Sequence, residues 1–234
     1  MKRNTLAALT IFSLAWLALG WAPPRQAAAR RPRRSQDAER QSLQPGDIDT
    51  EASRAYVFVG KSGLGHEHAV AGRVSAGRIA LGATEDAGFI EFDMTSFVAD
   101  TKAARDFISL EGEVGESTRQ KVTENMCGAD VLNVQKYPTA RFAIAQAVPV
   151  KKRRADDPLR YELTGDFTLH GATQPIRIVA DAERLEDGVR LVGKFSILQT
   201  DYGIEPYSTA FGAVGVADEL TIWGDLWIAA GEGS

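Results

Sequence analysis

The chain has one cysteine, Cys127, and three histidines among 234 residues. A lone cysteine excludes an intramolecular disulfide, and its position deep in the chain excludes a lipid-anchored N-terminal cysteine, so stability must come from an apolar core. No G-x-S-x-G elbow, phosphate-cradling glycine loop or H-E-x-x-H helix occurs, which removes the usual starting points for a hydrolase, an NTPase or a metalloprotease. Charge of one sign is also scarce: the formal net charge is −4, with 25% charged and 44% hydrophobic residues. That balance excludes a disordered chain and a polytopic membrane protein, and apart from one basic tail nothing points to a nucleic-acid partner.

Long apolar runs are limited to Leu6–Ala22, which follows Lys2 and Arg3 as the core of a secretory signal does. It falls short of the ~20 residues of a spanning helix. Ala27, Ala28 and Ala29 supply a cleavage site after Ala29, so residues 1–29 read as a signal peptide, with an uncleaved anchor as the alternative. Export predicts a periplasmic or secreted protein, although Arg30, Arg31, Arg33 and Arg34 oppose translocation. Residues 30–53 are polar, lack a period and read as a flexible linker, whose arginines are a solvated processing remnant or a contact for anionic lipid.

From Arg54 to Ala230 the apolar residues recur with period two, the mark of strands with one inward face. In Gly88–Met94, Ile90, Phe92 and Met94 share one side. The pattern returns at Phe142 and Ile144, at Leu163, Phe167 and Leu169, and at Ile176 and Ile178. After the hairpin signal Asp187-Gly188 it continues at Leu191 and Phe195, and a last strand from Glu219 to Ala229 carries Leu220, Ile222 and Leu226 on one face. About eight antiparallel strands with short turns predict a mostly β fold, a barrel or a sandwich. The rhythm breaks between Thr101 and Tyr137. There Ser117–Met126 reads as a short helix and Ala129–Asn133 as a helical turn, an insert between strands three and four placed to be a lid or plug.

Five pieces in order carry a resemblance: Gly65-His66-Glu67-His68, the stretch from Thr118-Arg119 to Asn125-Met126, DVLNVQKYPTARF from Asp130 to Phe142, GDFTLHGATQPIRIV from Gly165 to Val179, and Thr200-Asp201-Tyr202-Gly203-Ile204. Over residues 54–230 the chain resembles the YceI-like family of exported, lipocalin-like barrels associated with long polyisoprenoid lipids. The resemblance implies an eight-stranded antiparallel barrel that holds an isoprenoid-type lipid as carrier or store and catalyses no reaction. The interior candidates for ligand contact are Ile90, Phe92, Met94, Phe142, Ile144, Leu163, Phe167, Leu169, Ile178, Leu191, Phe195 and Leu226. Alternation alone fits a packed dry core equally well, and Gly165 and Gly193 on the inward faces would leave room for a ligand.

His66 and His68, two apart on an extended segment, would project to one side and could chelate zinc or copper if Glu67 or His170 supplied a third ligand; a structural or head-group role is the alternative. Arg119, Lys121 and Arg141 are head-group candidates at the mouth or solvated charges. Cys127 reads as a buried, inert thiol. Asp201 is expected to hold its turn through backbone N–H groups. Trp223 and Trp227, on the outer face, either pack under the helical insert or mark an edge for transient membrane contact. A metal-linked stress protein, a structural barrel without a small ligand, and a homodimer are the alternatives carried forward.

Overall fold

The computed structural model describes residues 43–209, 211 and 213–230, so the leader, its cleavage site and the arginine cluster lie outside the described residues. The long strands are β1 (Arg54–Gly63), β2 (His68–Ile79), β3 (Gly88–Ala99), β4 (Thr139–Pro149), β5 (Leu159–Leu169), β6 (Ala172–Leu185), β7 (Gly188–Leu198) and β9 (Val214–Ala229), with the two-residue β8 (Ser208–Thr209) beside β9. Each long strand pairs antiparallel with the next, and β1 pairs with β9 from Arg54↔Asp225 to Gly63↔Val214, closing an eight-stranded barrel. Closure satisfies the backbone groups that an open sheet would leave at its edges.

Period-two alternation becomes one inward face. Ile90 and Met94 of β3, Phe142 and Ile144 of β4, Leu163 and Phe167 of β5, and Leu191 and Ile197 of β7 are all buried in a single core. Strand β3 runs past Met94 because a bulge absorbs the break in phase. Asp93 accepts from the Thr95 N–H, the Ser96 hydroxyl bonds the Asp93 carbonyl, and Phe97 and Ala99 resume the inward side. Phe97 lies across Gly72, where any Cβ would meet its ring at 2.2 Å.

Two helices fill the β3–β4 connection: α1 (Lys102–Ile108) and α2 (Glu116–Cys127). The second matches the expected Ser117–Met126. The first was hidden in a short run; Thr101 caps it by accepting from Ala104 N, and Ser109 ends it in the left-handed region at φ 57. Residues 129–132 form turns with no helix.

Several local expectations change. Residues 43–53 are part of the barrel: Ile48 is 2% exposed and bridges Ile228, and Ser53 accepts from Trp227 N. The β6–β7 turn is Glu186-Asp187, and Gly188 already lies in β7, where a Cβ would strike the Ile228 carbonyl at 2.0 Å. Gly165 likewise lets the Ala143 backbone approach at a β4 bulge and opens no space, whereas Gly193 lines an internal cavity. The turn after β7 is held by Asp218, which accepts from the Thr200 N–H and hydroxyl, and Asp201 is exposed. Trp223 and Trp227 do pack, but under Lys194 and Arg190 rather than under the helices. Helices α1 and α2 pack against β1, β2 and β3 instead, with Phe107 stacked on Tyr56.

Candidate lipid-binding cavity

The barrel interior holds a cavity of about 180 Å³ at the end covered by α2. Val122, Asn125 and Met126, spaced i, i+3 and i+4 on the helix, form its roof. Its walls are almost wholly apolar. Of the twelve interior candidates, Phe92, Met94, Phe167, Leu169 and Phe195 line it, together with Leu220 and with Val57, Val59, Val70 and Phe97, which the sequence reading did not single out. A second cavity of about 40 Å³ lies deeper, against Ile90, Phe142, Leu163, Ile178 and Leu226. Ile144 and Leu191 line neither cavity and are core residues.

Phe92, Phe167 and Phe195 line both cavities and form the partition between them. Phe167 stands edge-on to Phe92 at 6.5 Å and to Phe195 at 5.8 Å. Such edge-to-face contacts are worth about 0.5–1.5 kcal/mol each, so the wall is held by packing and not by any hydrogen bond.

Polar groups on the mouth cavity are few: His68, Asn125, Gln199 and Tyr207. His68 Nδ1 is 2.7 Å from Oδ2 of Asp100, whose Oδ1 also accepts from Ala69 N (3.1 Å) and from Arg105 Nη1 (2.8 Å). Burial pushes the Asp100 carboxyl up, but hydrogen bonds from His68 and Ala69, the His68 charge and the Arg105 hydrogen bond outweigh it and hold the group below its ordinary value. Arg105 also donates Nε to the Gly112 carbonyl and Nη2 to the Glu111 carbonyl, so a buried ion pair ties the start of β2, the end of β3 and α1 together beside the mouth.

A family model described as the YceI-like domain matches residues 47–226. The chain belongs to the YceI-like family. A UPF0312 protein of Pseudomonas putida (strain W619) is 31% identical over 94 residues, covering 39% of this chain and 46% of that protein, and one from strain GB-1 is 30% identical over the same shares. The match thus spans less than half the length of these curated relatives. Among solved structures, a polyisoprenoid binding domain from Saccharophagus degradans implicated in plant cell wall breakdown superposes with a TM-score of 0.54 at 14% identity, covering 80% of this chain and 99% of that one. Burkholderia cenocepacia BcnA gives 0.50 at 16% identity, covering 78% and 100%. At these identities the likeness is one of fold.

In this YceI-like barrel the two signature histidines part company. His66 is exposed in the β1–β2 loop, while His68 is committed to Asp100. His170, in the β5–β6 turn, contacts the Tyr202 carbonyl through Nδ1 and the Tyr137 ring. Among the described residues no group of three or more His, Cys, Asp or Glu side chains could hold a metal ion, so the expected chelate is not assembled. Arg141 is not at the mouth: it pairs with Glu91 and covers the Phe89 ring at 4.2 Å on the outer face. Arg119, half-buried on α2, and exposed Lys121 do not line the cavity. Cys127 is half-buried with Sγ near the Phe97 carbonyl, and burial pushes its thiol up, away from the thiolate.

Proposed function

We propose that this barrel binds a long apolar, isoprenoid-type lipid and stores or carries it outside the cytoplasm without catalysing a reaction. The observation that carries the reading is the cavity under α2, where, among the described residues, a wall of aliphatic and aromatic side chains is interrupted by only four polar ones. The binding named for the Saccharophagus degradans domain of similar fold supports it. Export rests on the leader. Transient membrane contact fits Leu64, 79% exposed, and the fully exposed Phe211, on loops joined by the bond from Leu64 N to the Ala213 carbonyl; Tyr207 of the second loop borders the cavity.

Native mass spectrometry of the full chain expressed in a bacterial host and purified without detergent is expected to give a protein mass plus one lipid. Apo mass alone under lipid-retaining conditions would overturn the proposal. The same spectra read the N-terminus: a chain beginning at Arg30 supports export, and an intact leader overturns cleavage.

A further inference from the structure

At three seams of the barrel the strand pairing runs over only part of a strand. Pairing of β1 with β2 ends at Arg54↔Arg73 and leaves the far end of β2 uncovered, and pairing of β3 with β4 stops at Asp93↔Thr139, short of Met94–Ala99. The chain fills both gaps with backbone hydrogen bonds: Ile48 N to the Gly77 carbonyl and Ile79 N to the Gly46 carbonyl in one, Met94 N to the Pro138 carbonyl in the other. The third gap differs. Strands β6 and β7 pair only from Leu185↔Gly188 to Val179↔Lys194, so Ala172–Ile178 and Phe195–Leu198 run unpaired with each other towards the mouth. Among the described residues no backbone hydrogen bond crosses this gap. The turn after β7 caps its upper end through side chains, with Gln174 Nε2 donating to the Asp201 carbonyl and His170 Nδ1 against the Tyr202 carbonyl.

Burial follows the gap. The inward residues of β6 are only half-buried as far as Ile178, and the first buried one is Ala180, where β7 is already paired. Ile176 and Ile178 on one side and Phe195 on the other line the deeper cavity. The outer lips are apolar too, with Val179 40% exposed at the foot of the gap and Leu198 42% exposed on the β7 side. The cations beside them lean away, Arg177 to Glu162 on β5 and Lys194 over the Trp223 ring on β9. Pro175, which lacks an N–H, and Arg177 discourage a further strand from adding to the free edge of β6.

Volume gives the gap a use. A dry cavity of about 150 Å³ takes one benzene-sized molecule, so the about 180 Å³ under α2 takes roughly one to two isoprene units and the about 40 Å³ behind it adds little. The rest of a long chain must leave the lumen. We propose that the gap between β6 and β7 is a side slot for a hydrocarbon chain, whose tail passes between Ile178 and Phe195 and lies against Val179 and Leu198. Phe195 borders both cavities and so flanks the whole path. The strands can part there without breaking a ladder bond. This rests on the lipid-carrier reading and adds to it an element that responds to chain length.

The test uses delipidated full-length protein and two isoprenoid alcohols that differ only in chain, geraniol (C10) and geranylgeraniol (C20), in equilibrium dialysis from a cyclodextrin carrier. Wild type is expected to bind the C20 chain at least about 10-fold tighter. In the double variant Val179→Glu, Leu198→Glu, two exposed positions outside the core, that advantage should fall below about 2-fold while C10 affinity stays within about 2-fold of wild type. A C20 probe carrying a diazirine at the far end of its chain, photolysed in the wild-type complex, is expected to label residues 176–179 or 195–198. An unchanged C20 advantage, an equal loss for both chains, or labels confined to other segments would overturn the slot and leave the carrier reading standing. Failure to bind either alcohol would overturn both.

Discussion

Tyr202 is 2% exposed, stands edge-on to Phe167 at 5.8 Å, and has a buried hydroxyl with no hydrogen-bond partner among the described residues. Removing that oxygen lifts a desolvation cost at no loss of packing, so Tyr202→Phe is expected to raise unfolding stability by about 1 kcal/mol in urea titrations. The opposite holds for Arg105, whose side chain is 10% exposed beside a fully buried Asp100. Arg105→Met leaves a buried charge short of its partner and should cost about 3–5 kcal/mol. The sign with pH follows from the lowered Asp100 group. A carboxyl depressed in the fold contributes stability that is complete above its unfolded value, near pH 4, and is lost as pH falls through the lower folded value. The gap between wild type and Arg105→Met should therefore be largest at neutral pH and narrow below about pH 4, and a gap independent of pH would refute the assignment.

Among elements, α2 combines a functional position with slender attachment. It has no fully buried residue, and Thr123 Oγ1 accepts from Ala99 N at 3.0 Å, tying it to the end of β3. Thr123→Ala should speed amide hydrogen exchange across α2 while β4–β7 keep their protection; uniform protection would rule α2 out as a separately opening lid. This helix was legible in the chain, as were the strands, because a half-buried strand writes its period directly into side-chain type. Other features left no such mark. The β3 bulge shifts the phase of alternation by side-chain bonds around Asp93 that composition does not announce, and α1 is too short for its period to register. His68 and Asp100 are 32 residues apart, so the bond that removes His68 from the expected metal pair exists only once β2 and β3 are in register. Inward-facing residues were readable; which of them border empty space depends on ring packing at Phe92, Phe167 and Phe195.

At the scale of the molecule, a carrier of the kind proposed has to exchange its lipid with a phase that dissolves it, and Leu64 and Phe211 are exposed apolar residues on neighbouring loops. Replacing both with Asp should leave equilibrium binding of a C20 isoprenoid lipid unchanged and slow its transfer between phosphatidylcholine vesicles by about 10-fold; an unchanged transfer rate would exclude this rim as the contact. The connectivity has a consequence for assembly. Six of the eight pairings that close the barrel join strands consecutive in the chain, and β7 with β9 skips only β8, whereas β1 with β9 brings Arg54 to Asp225. Joining chain ends carries the largest loop-closure cost of the eight pairings, so that seam is expected to form last. Until it forms, the apolar lumen is an open trough, so an apolar molecule of any length can be laid in from the side rather than threaded through the finished mouth.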